Sequence, residues 1–312
     1  MAGFKMRRRL VLATIEAAYG DDEAPTPEAN AILTRTVQVT PLAGDDIERN
    51  LLRAYYGNSQ SIAGEKHVEL TMEVELAGSG TAGDAPAWGV LLRACGFAET
   101  EEAGTEVVYN PITDSEESIS CWIHRDGVLH KFTGGRGSVR FNLGVNNIPF
   151  MTFTFLGLLG TISNENMPTT ADYSPWTAPL PVTNANTTPL TLHGADLSFS
   201  EFTLDMAVET VKHMVVGDSS SILIVDRAPS GTAVVEEPDL ATLNLYNKAR
   251  DASLGNLALA HGTVAGNIVE FAAPKIGNGS PTEQDLNGVQ MLSLPLTINP
   301  DAGNDELVIT VK

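Results

Sequence analysis

The sequence predicts an α+β fold that is predominantly antiparallel β, and three observations lead to this class. Apolar and polar residues alternate over many short stretches, Gly- and Asn-rich turns separate these stretches, and only two segments have helical spacing. Each half of the chain follows the same plan of strands, a short helix and further strands. We therefore predict two tandem β-sandwich or half-barrel units, each with one short helix.

The repeat of this plan is also visible as a match at a constant offset. The positions in the first half are Leu129, Thr133, Val139 and Phe141, and those in the second half are Leu259, Thr263, Val269 and Phe271. Both runs lead through a loop into a long apolar strand. Units that repeat within a chain usually need copies of themselves to bury their surfaces, so the repeat indicates a protein that tiles rather than one that catalyses.

Changes in composition set the predicted boundaries. Pro25 and Pro27 rule out a continuous helix in the acidic stretch before the first strand. A segment rich in Pro, Thr and Asn separates the two halves. The predicted organisation is an extended N-terminal arm at 1–33, a first unit at 34–160, a connector at 161–190 and a second unit at 191–312.

The first unit is predicted to begin with a strand over 34–42 and a long loop over 43–66. Residues 67–76 form the clearest strand, because apolar and polar residues alternate there without a break. Pro86 begins a short helix that covers 86–97. Further strands follow in ESISCWIHRDGVLHKF, GSVRFNLG and IPFMTFTFLGLLG.

The second unit opens with the long alternating run LTLHGADLSFSEFTLDMAVETVKHMV. Its alternation slips by one place near Glu201 and Phe202, which indicates a β-bulge. Two strands follow in ILIVDRA and TAVVEEP, then a helix in PDLATLNLYNKARD. Three more strands complete the unit.

Two strands carry acidic side chains opposite an apolar face. Glu69, Glu73 and Glu75 share one polar face, and Asp205 and Glu209 share another, which makes two acidic ribbons. From periodicity alone, the ordinary solvated face of an antiparallel sheet is the favoured interpretation. A surface kept negative for a purpose is the alternative.

The overall charge argues against one large class of function. The chain of 312 residues has a formal net charge of −20 and a pI near 4.5. A general nucleic-acid-binding surface needs basic patches that neutralise phosphates, so this acidic balance does not favour one. Hydrophobic content of 43% with 19% charged residues is typical of a folded globular protein.

The cysteines and the N-terminus indicate a chain made and soluble in the cytoplasm. Cys95 and Cys121 lie in apolar segments and are predicted to be buried free thiols. The apolar run that follows the N-terminal basic residues is interrupted at Glu16, so it is shorter than the core of a secretory signal. No stretch is long enough to span a bilayer.

The sequence predicts no catalytic, metal-binding or cofactor-binding residues. The six histidines lack the helical spacing with Glu that zinc hydrolases use. The glycine-rich pieces at 78–83, 134–137 and 277–280 lack the Gly-Lys-Ser/Thr ending of a phosphate loop, and no Gly-x-Ser-x-Gly motif occurs. The acidic clusters lie in loops among small polar residues, which is typical of solvated surface. We therefore expect no enzymatic activity.

Three stretches carry a resemblance to a known family. They are LVLATIEAAYGDDEAPTPEANAILT, EKHVELTMEVELAGSGTAGDAPAWGVLLRACGF, and HGTVAGNIVEFAAPKI followed by GVQMLSLPLTINPDAGNDELVITVK. Together they resemble the tail tube, or major tail, proteins of bacteriophages with long, non-contractile tails (siphophage type). The resemblance covers nearly the whole chain.

The resemblance implies a structural virion protein whose units contribute to a ring-shaped β-barrel shared between subunits. Stacked rings form a hollow tube that carries DNA from the capsid into the host, and no enzymatic activity, metal or cofactor is implied. The implied partners are further copies of the chain, the tape measure protein and DNA in the lumen, and the tail terminator and distal tail proteins at the ends, with no membrane. The chain would be made in the host cytoplasm and reside in the phage tail.

Within such a tube, the acidic ribbons would have a function, which is to repel DNA. Acidic walls repel a sliding polyanion, whereas cationic walls would bind its phosphates. We therefore predict that Glu69, Glu73, Glu75, Asp205 and Glu209 face the lumen. The residues predicted to contact the adjacent ring are Lys5, Arg7, Arg8, Arg9, Tyr55 and Tyr56.

The duplication also bears on the ring symmetry. Tail tubes commonly present six units per ring, so a chain with two units would close as a trimer with pseudo-sixfold symmetry. If one half is instead a different, decorating domain, six chains are needed. Two other classes stay open: another β-rich virion protein, such as a head decoration protein or a tail terminator, and, more distantly, a β-rich hydrolase.

Overall fold

A computed structural model of the chain describes residues 3–312. The described part is mostly antiparallel β with two short helices, which confirms the predicted β-rich class. The strands are β1 (Arg9–Ile15), β2 (Ala31–Ile32), β3 (Thr36–Ala43), β4 (Asp46–Ile47), β5 (Ile62–Ala63), β6 (His67–Glu75), β7 (Phe97–Glu102), β8 (Glu106–Pro111), β9 (Ile119–Arg125), β10 (Val128–Gly144), β11 (Phe150–Asn164), β12 (Leu190–Leu192), β13 (Ala195–Leu197), β14 (Phe199–Asp205), β15 (Val208–His213), β16 (Ser221–Arg227), β17 (Ser230–Glu236), β18 (Leu254–His261), β19 (Val269–Asn278), β20 (Thr282–Leu286), β21 (Val289–Asn299) and β22 (Val308–Val311). The helices are α1 (Gly89–Arg93) and α2 (Leu245–Arg250).

Six strands of the first half form one antiparallel order, β3-β6-β11-β10-β9-β1. A tight turn joins β9 to β10, where Asp126 and Gly127 both have positive φ, as hairpin turns of this kind require. Burial alternates along β6, with its apolar residues inside and its polar residues outside. The strand predicted over 67–76 is therefore confirmed.

Six strands of the second half form the same order, β14-β17-β21-β19-β18-β12. Each strand has a counterpart in the first half, so that β14 corresponds to β3, β17 to β6 and β21 to β11. The long strand β10 corresponds to β19 and β20 together, because both of these pair with β21. Helix α2 lies between β17 and β18, just as α1 lies between β6 and β9.

The two halves are joined within one sheet. The C-terminal part of β10, from Arg140 to Gly144, pairs antiparallel with β14, from Asp205 to Glu201. This junction creates a continuous run of eight strands, β3-β6-β11-β10-β14-β17-β21-β20, which we call the central sheet.

The positions that match at a constant offset in the sequence do not correspond in the structure. Leu129 and Phe141 lie on one continuous strand, β10. Leu259 and Phe271 instead face each other across the β18–β19 hairpin. Alternating apolar residues occur on every half-buried strand, so a few matched positions do not define a register. The halves correspond in strand order rather than in that alignment.

Part of the segment predicted as an extended arm belongs to the fold. Strand β1 pairs along its whole length with β9, and its residues from Leu10 to Ala13 are buried. The described residues that precede Arg9 are exposed. The short apolar run after the basic residues is therefore a core strand, and the exposed arm before it is shorter than predicted.

Buried side chains from both halves pack into one hydrophobic core. Phe141 of β10 and Phe271 of β19 pack edge-to-face, with ring centroids 5.1 Å apart. Trp88 lies beside Tyr109 and donates its indole N–H to the Ala77 carbonyl at 2.7 Å. The halves thus share their interior.

Long segments interrupt the central sheet at equivalent places. Residues 44–66 separate β3 from β6, and residues 206–229 separate their counterparts β14 and β17. Each segment contains a small two-stranded sheet, β4–β5 in the first and β15–β16 in the second. The two segments meet where the Lys212 ammonium lies 3.0 Å from the Glu65 carboxylate.

Candidate functional site

The face of the central sheet that points away from the core is the candidate functional surface, which we call the polar face. Successive side chains of a strand point to opposite faces, so the alternation that buries one set of residues exposes the other. On this face the strands present many short hydroxyl side chains. The threonines of this face are Thr36, Thr40, Thr71, Thr152, Thr154, Thr203, Thr232 and Thr297, of which Thr203 is buried.

The first predicted acidic ribbon lies on the polar face. Glu69 is exposed, while Glu73 and Glu75 are half-buried. Glu73 has Thr36 on one side and Thr152 on the other. The three carboxylates therefore form one row along β6, in which Phe150 lies opposite Glu75 and Leu156 lies opposite Glu69.

The second predicted ribbon is divided by a turn. Strand β14 ends at Asp205, whose carboxylate accepts a hydrogen bond from the Ala207 amide at 2.8 Å, and Ala207 has a positive φ of 44°. Glu209 belongs to β15, where it pairs with Asp226 in the separate β15–β16 hairpin. Asp205 thus lies on the polar face, but Glu209 is not its neighbour on the central sheet.

Sequence reasoning missed four charged residues of the polar face, one of which is Arg35, whose guanidinium lies 4.5 Å from the ring centre of Phe150, the neighbour of Glu75. Glu201 and Glu236 are exposed on β14 and β17, on the same face as Asp205. Arg140 is exposed on β10 and lies directly opposite Asp205 across the junction of the two halves. The predicted bulge is present between Phe199 and Glu201, and following the alternation from it would have placed Glu201 on this face.

The residues predicted to contact an adjacent ring lie in two places. Near the N-terminus, the Arg8 guanidinium forms an ion pair with Asp126 at 2.6 Å, and the backbone amide of Lys5 donates to the same carboxylate at 2.7 Å. Arg9 donates to the Val37 carbonyl of β3, and Arg7 is exposed.

The other residues predicted to contact an adjacent ring are two tyrosines of the long loop. Tyr55 is 69% exposed and Tyr56 is fully exposed, both within residues 44–66. Leu52 is also fully exposed in this segment. Apolar side chains grouped on an exposed loop are typical of a surface that another molecule covers.

Burial favours the neutral forms of a histidine and of both cysteines in the interior. Burial lowers the pKa of His261, whose ring contacts the Thr187 hydroxyl at 2.8 Å and the Leu180 carbonyl at 3.1 Å. Burial raises the pKa of the Cys95 and Cys121 thiols, and both cysteines are free. Within residues 3–312, no three His, Cys, Asp or Glu side chains are grouped as metal ligands.

Comparison of the sequence with models of known protein families identifies the family of the chain. The family model described as phage tail tube protein matches residues 6–297. The chain belongs to the phage tail tube protein family. No curated protein matches the sequence.

Membership of this family confirms the resemblance to phage tail tube proteins that the sequence carries. It makes this chain a structural component of a phage tail, and hence of the virion. Among the described residues, no helix has the length and apolar character needed to cross a bilayer.

Proposed function

We propose that this tail tube protein polymerises into stacked rings that form the tube of a long, non-contractile phage tail, and that DNA passes through the lumen into the host. The observation that carries the proposal is the repeated strand order of the two halves within one central sheet. A subunit with this construction presents the same strand arrangement twice. It is suited to a ring in which equivalent units follow one another.

The two halves are proposed to be tandem tail-tube units that contribute to one ring-shaped β-barrel. With two units in each chain, three chains close a ring with pseudo-sixfold symmetry. The matching orders β3-β6-β11-β10-β9-β1 and β14-β17-β21-β19-β18-β12 support this count. A ring of six chains in three-dimensional maps would refute it.

The polar face is proposed to line the lumen. It carries Glu69, Glu73, Glu75 and Asp205, to which Glu201 and Glu236 are added. Carboxylates repel the phosphates of DNA, while threonine hydroxyls offer a wetted surface without positive charge. Arg140 lies opposite Asp205 across the β10–β14 junction, so a carboxylate is placed to offset its positive charge.

The exposed arm and the tyrosine-bearing loop are proposed to contact the adjacent ring. A deletion that tests the arm must stop before β1, because removal of residues 9–15 would remove a core strand. A chain without residues 1–7 should fold and form single rings, but no long tubes. Long tubes from this chain would show that the arm is dispensable.

Negative-stain electron microscopy of the purified protein tests the proposed function directly. We expect hollow tubes of uniform width that grow with protein concentration. A head decoration protein or a tail terminator would instead give only discrete particles, and that result would reject a tube-forming role.

The lumen assignment has its own test in phage particles. Replacement of Glu73 and Glu75 by Lys should leave the tubes intact but slow DNA ejection, and added salt should reduce the difference because it screens phosphate binding. The matched control replaces the same residues by Gln, which removes charge without reversing it. Equal ejection rates for the Lys and Gln particles would place these side chains away from the DNA.

A further inference from the structure

The central sheet ends in two strands that pair on one side only. Within the described residues, β3 pairs with β6 alone and β20 pairs with β21 alone. All five residues of β20 are exposed, and alternate residues of β3 are exposed as well. Each strand therefore presents backbone N–H and C=O groups that can pair with another strand, apart from the Val37 carbonyl of β3, which accepts from Arg9.

The chain itself contains a closed version of this arrangement. The C-terminal part of β10 is the counterpart of β20, and β14 is the counterpart of β3. In the chain, β10 and β14 pair with each other over Arg140 to Gly144. The two halves are thus joined by β10 and β14. Their counterparts, β20 and β3, are the strands left unpaired on their outer sides at the two ends of the sheet.

We propose that β20 of one subunit pairs antiparallel with β3 of the next subunit, with Leu286 opposite Thr40. The proposal rests on the proposed ring and specifies its subunit contact. The occupant of each open edge is a second copy of this chain, and repetition of the contact closes the ring.

The register follows from the internal junction. Asn142 pairs with Phe150, which is the first residue of β11. Leu286 pairs with Val289, which is the first residue of β21. Because β21 is the counterpart of β11, Leu286 corresponds to Asn142. This correspondence defines the β20 side of the contact.

The β3 side is defined in the same way. Thr203 pairs with Thr232, which is the third residue of β17. Thr40 pairs with Glu69, which is the third residue of β6. Because β17 is the counterpart of β6, Thr40 corresponds to Thr203. Asn142 and Thr203 are paired within the chain. Their counterparts Leu286 and Thr40 are therefore paired between chains.

The strand directions are compatible with this contact, which falls where β3 has an irregularity between Thr40 and Ala43. Every neighbouring pair in the central sheet is antiparallel. Because the sheet has an even number of strands, its two end strands run in opposite directions. A copy placed end to end therefore continues the antiparallel pattern.

Charge disfavours the pairing of two β20 edges. Strand β20 carries Glu283 and Asp285, whereas β3 carries no charged side chain. Two β20 strands placed side by side would bring carboxylates together, which destabilises a sheet. The contact is therefore head-to-tail, which is the kind of contact that generates rings.

The backbone of β20 is oriented for such a contact. Asn287 and Gly288 both have positive φ and form a two-residue turn between β20 and β21. In a hairpin of this kind Leu286 and Val289 exchange hydrogen bonds, so the amides of Glu283 and Asp285 point towards the open edge. In the proposed register Asp285 lies opposite Pro41, which has no N–H, so only the Asp285 amide donates at that pair.

Disulfide formation between subunits tests the register. In a chain that carries both Thr40→Cys and Leu286→Cys, directly opposite residues lie within the Cα separation that a disulfide allows. Mild oxidation of assembled protein should then give covalent oligomers on a denaturing gel. The native Cys95 and Cys121 are buried and do not compete.

The matched control is Thr36→Cys with Leu286→Cys. Thr36 is exposed on the same face of β3 as Thr40, but it lies four positions away, or roughly 13 Å along the strand. We expect about ten-fold less cross-linking from the control pair, because this separation exceeds the reach of a disulfide. Equal cross-linking from both pairs, or none from either, would overturn the proposed register.

Hydrogen exchange of the unaltered protein keeps the test independent of the substitutions. Amides of β20 and β3 should exchange more slowly in assembled protein than in dissociated subunits. Equal rates would overturn the contact even if the double variants failed to fold.

The outcomes separate this contact from the proposed function. Tubes without the Thr40–Leu286 cross-link would leave the function standing and reject the contact. Cross-linked rings that never stack into tubes would support the contact and reject the tube. Unassembled protein without cross-links would reject both.

Discussion

Strands β14 and β3 hold the same place in the two halves of the chain, yet their surroundings differ. The edge of β14 is covered by β10, and its side chains Phe202 and Leu204 are fully buried. The edge of β3 is open, and its side chains Val37 and Val39 are only partly buried. The difference indicates that a covered edge lets this position join the core, whereas an open edge leaves it partly exposed.

The largest expected effect is a loss of stability when a buried side chain of β14, the covered strand, is shortened. Phe202 and Val39 occupy equivalent places, since Phe202 pairs with the fourth residue of β17 and Val39 with the fourth residue of β6. Phe202→Ala should lower the free energy of unfolding by about 3–5 kcal/mol, because it leaves a cavity in the core. Val39→Ala should lower it by about 1 kcal/mol, because less apolar surface is lost. Urea unfolding of the isolated subunits measures both, and equal losses would remove the contrast between the two strands.

The next effect concerns assembly rather than folding. Glu283→Pro removes an amide that points to the open edge of β20 and leaves the β20–β21 hydrogen bonds intact. We expect this variant to melt like the wild type but to lose ring formation, as measured by sedimentation. Glu283→Thr is the control, because it removes the charge and keeps the N–H. If the Pro variant assembled normally, the edge of β20 would not be a contact.

The smallest effect is a dependence of subunit stability on pH that both halves share. Burial lowers the pKa of His124 and His130 in the first half, and of His193 and His261 in the second. A histidine with a lowered folded pKa binds more protons in the unfolded chain, so stability falls as the pH drops below about 6.5. The melting temperature should therefore be lower at about pH 5.5 than at about pH 7.5.

The shape of the melting curve sharpens the comparison of the halves. Because the halves share one core, the subunit should melt in a single transition at both pH values. Two separate transitions in calorimetry at the lower pH would show that the halves unfold independently.

The sequence was sufficient to predict the β-rich class, the strand over 67–76, the bulge near Glu201 and the placement of Glu69, Glu73 and Glu75 on one strand. These features are local, because they depend on alternation within a few residues.

Such local patterns do not predict which distant strands pair with each other. Nothing in the alternation of Arg9–Ile15 shows that it pairs with β9, so this segment was predicted as part of an arm. Likewise, Asp205 and Glu209 have the right spacing for one face, but the turn at Ala207 directs them to different sheets. Arg140 was missed because its neighbour Asp205 is far away in the sequence.

The pairing of β10 with β14 inside one polypeptide also bears on how fast assembly begins. Since both strands belong to the same chain, their contact forms at an effective concentration set by the connecting segment, whatever the subunit concentration. In the proposed ring, only the β20–β3 contact then depends on collisions between subunits. The proposed ring therefore starts from fewer encounters than a ring of separate units would require, even where little of the protein is made.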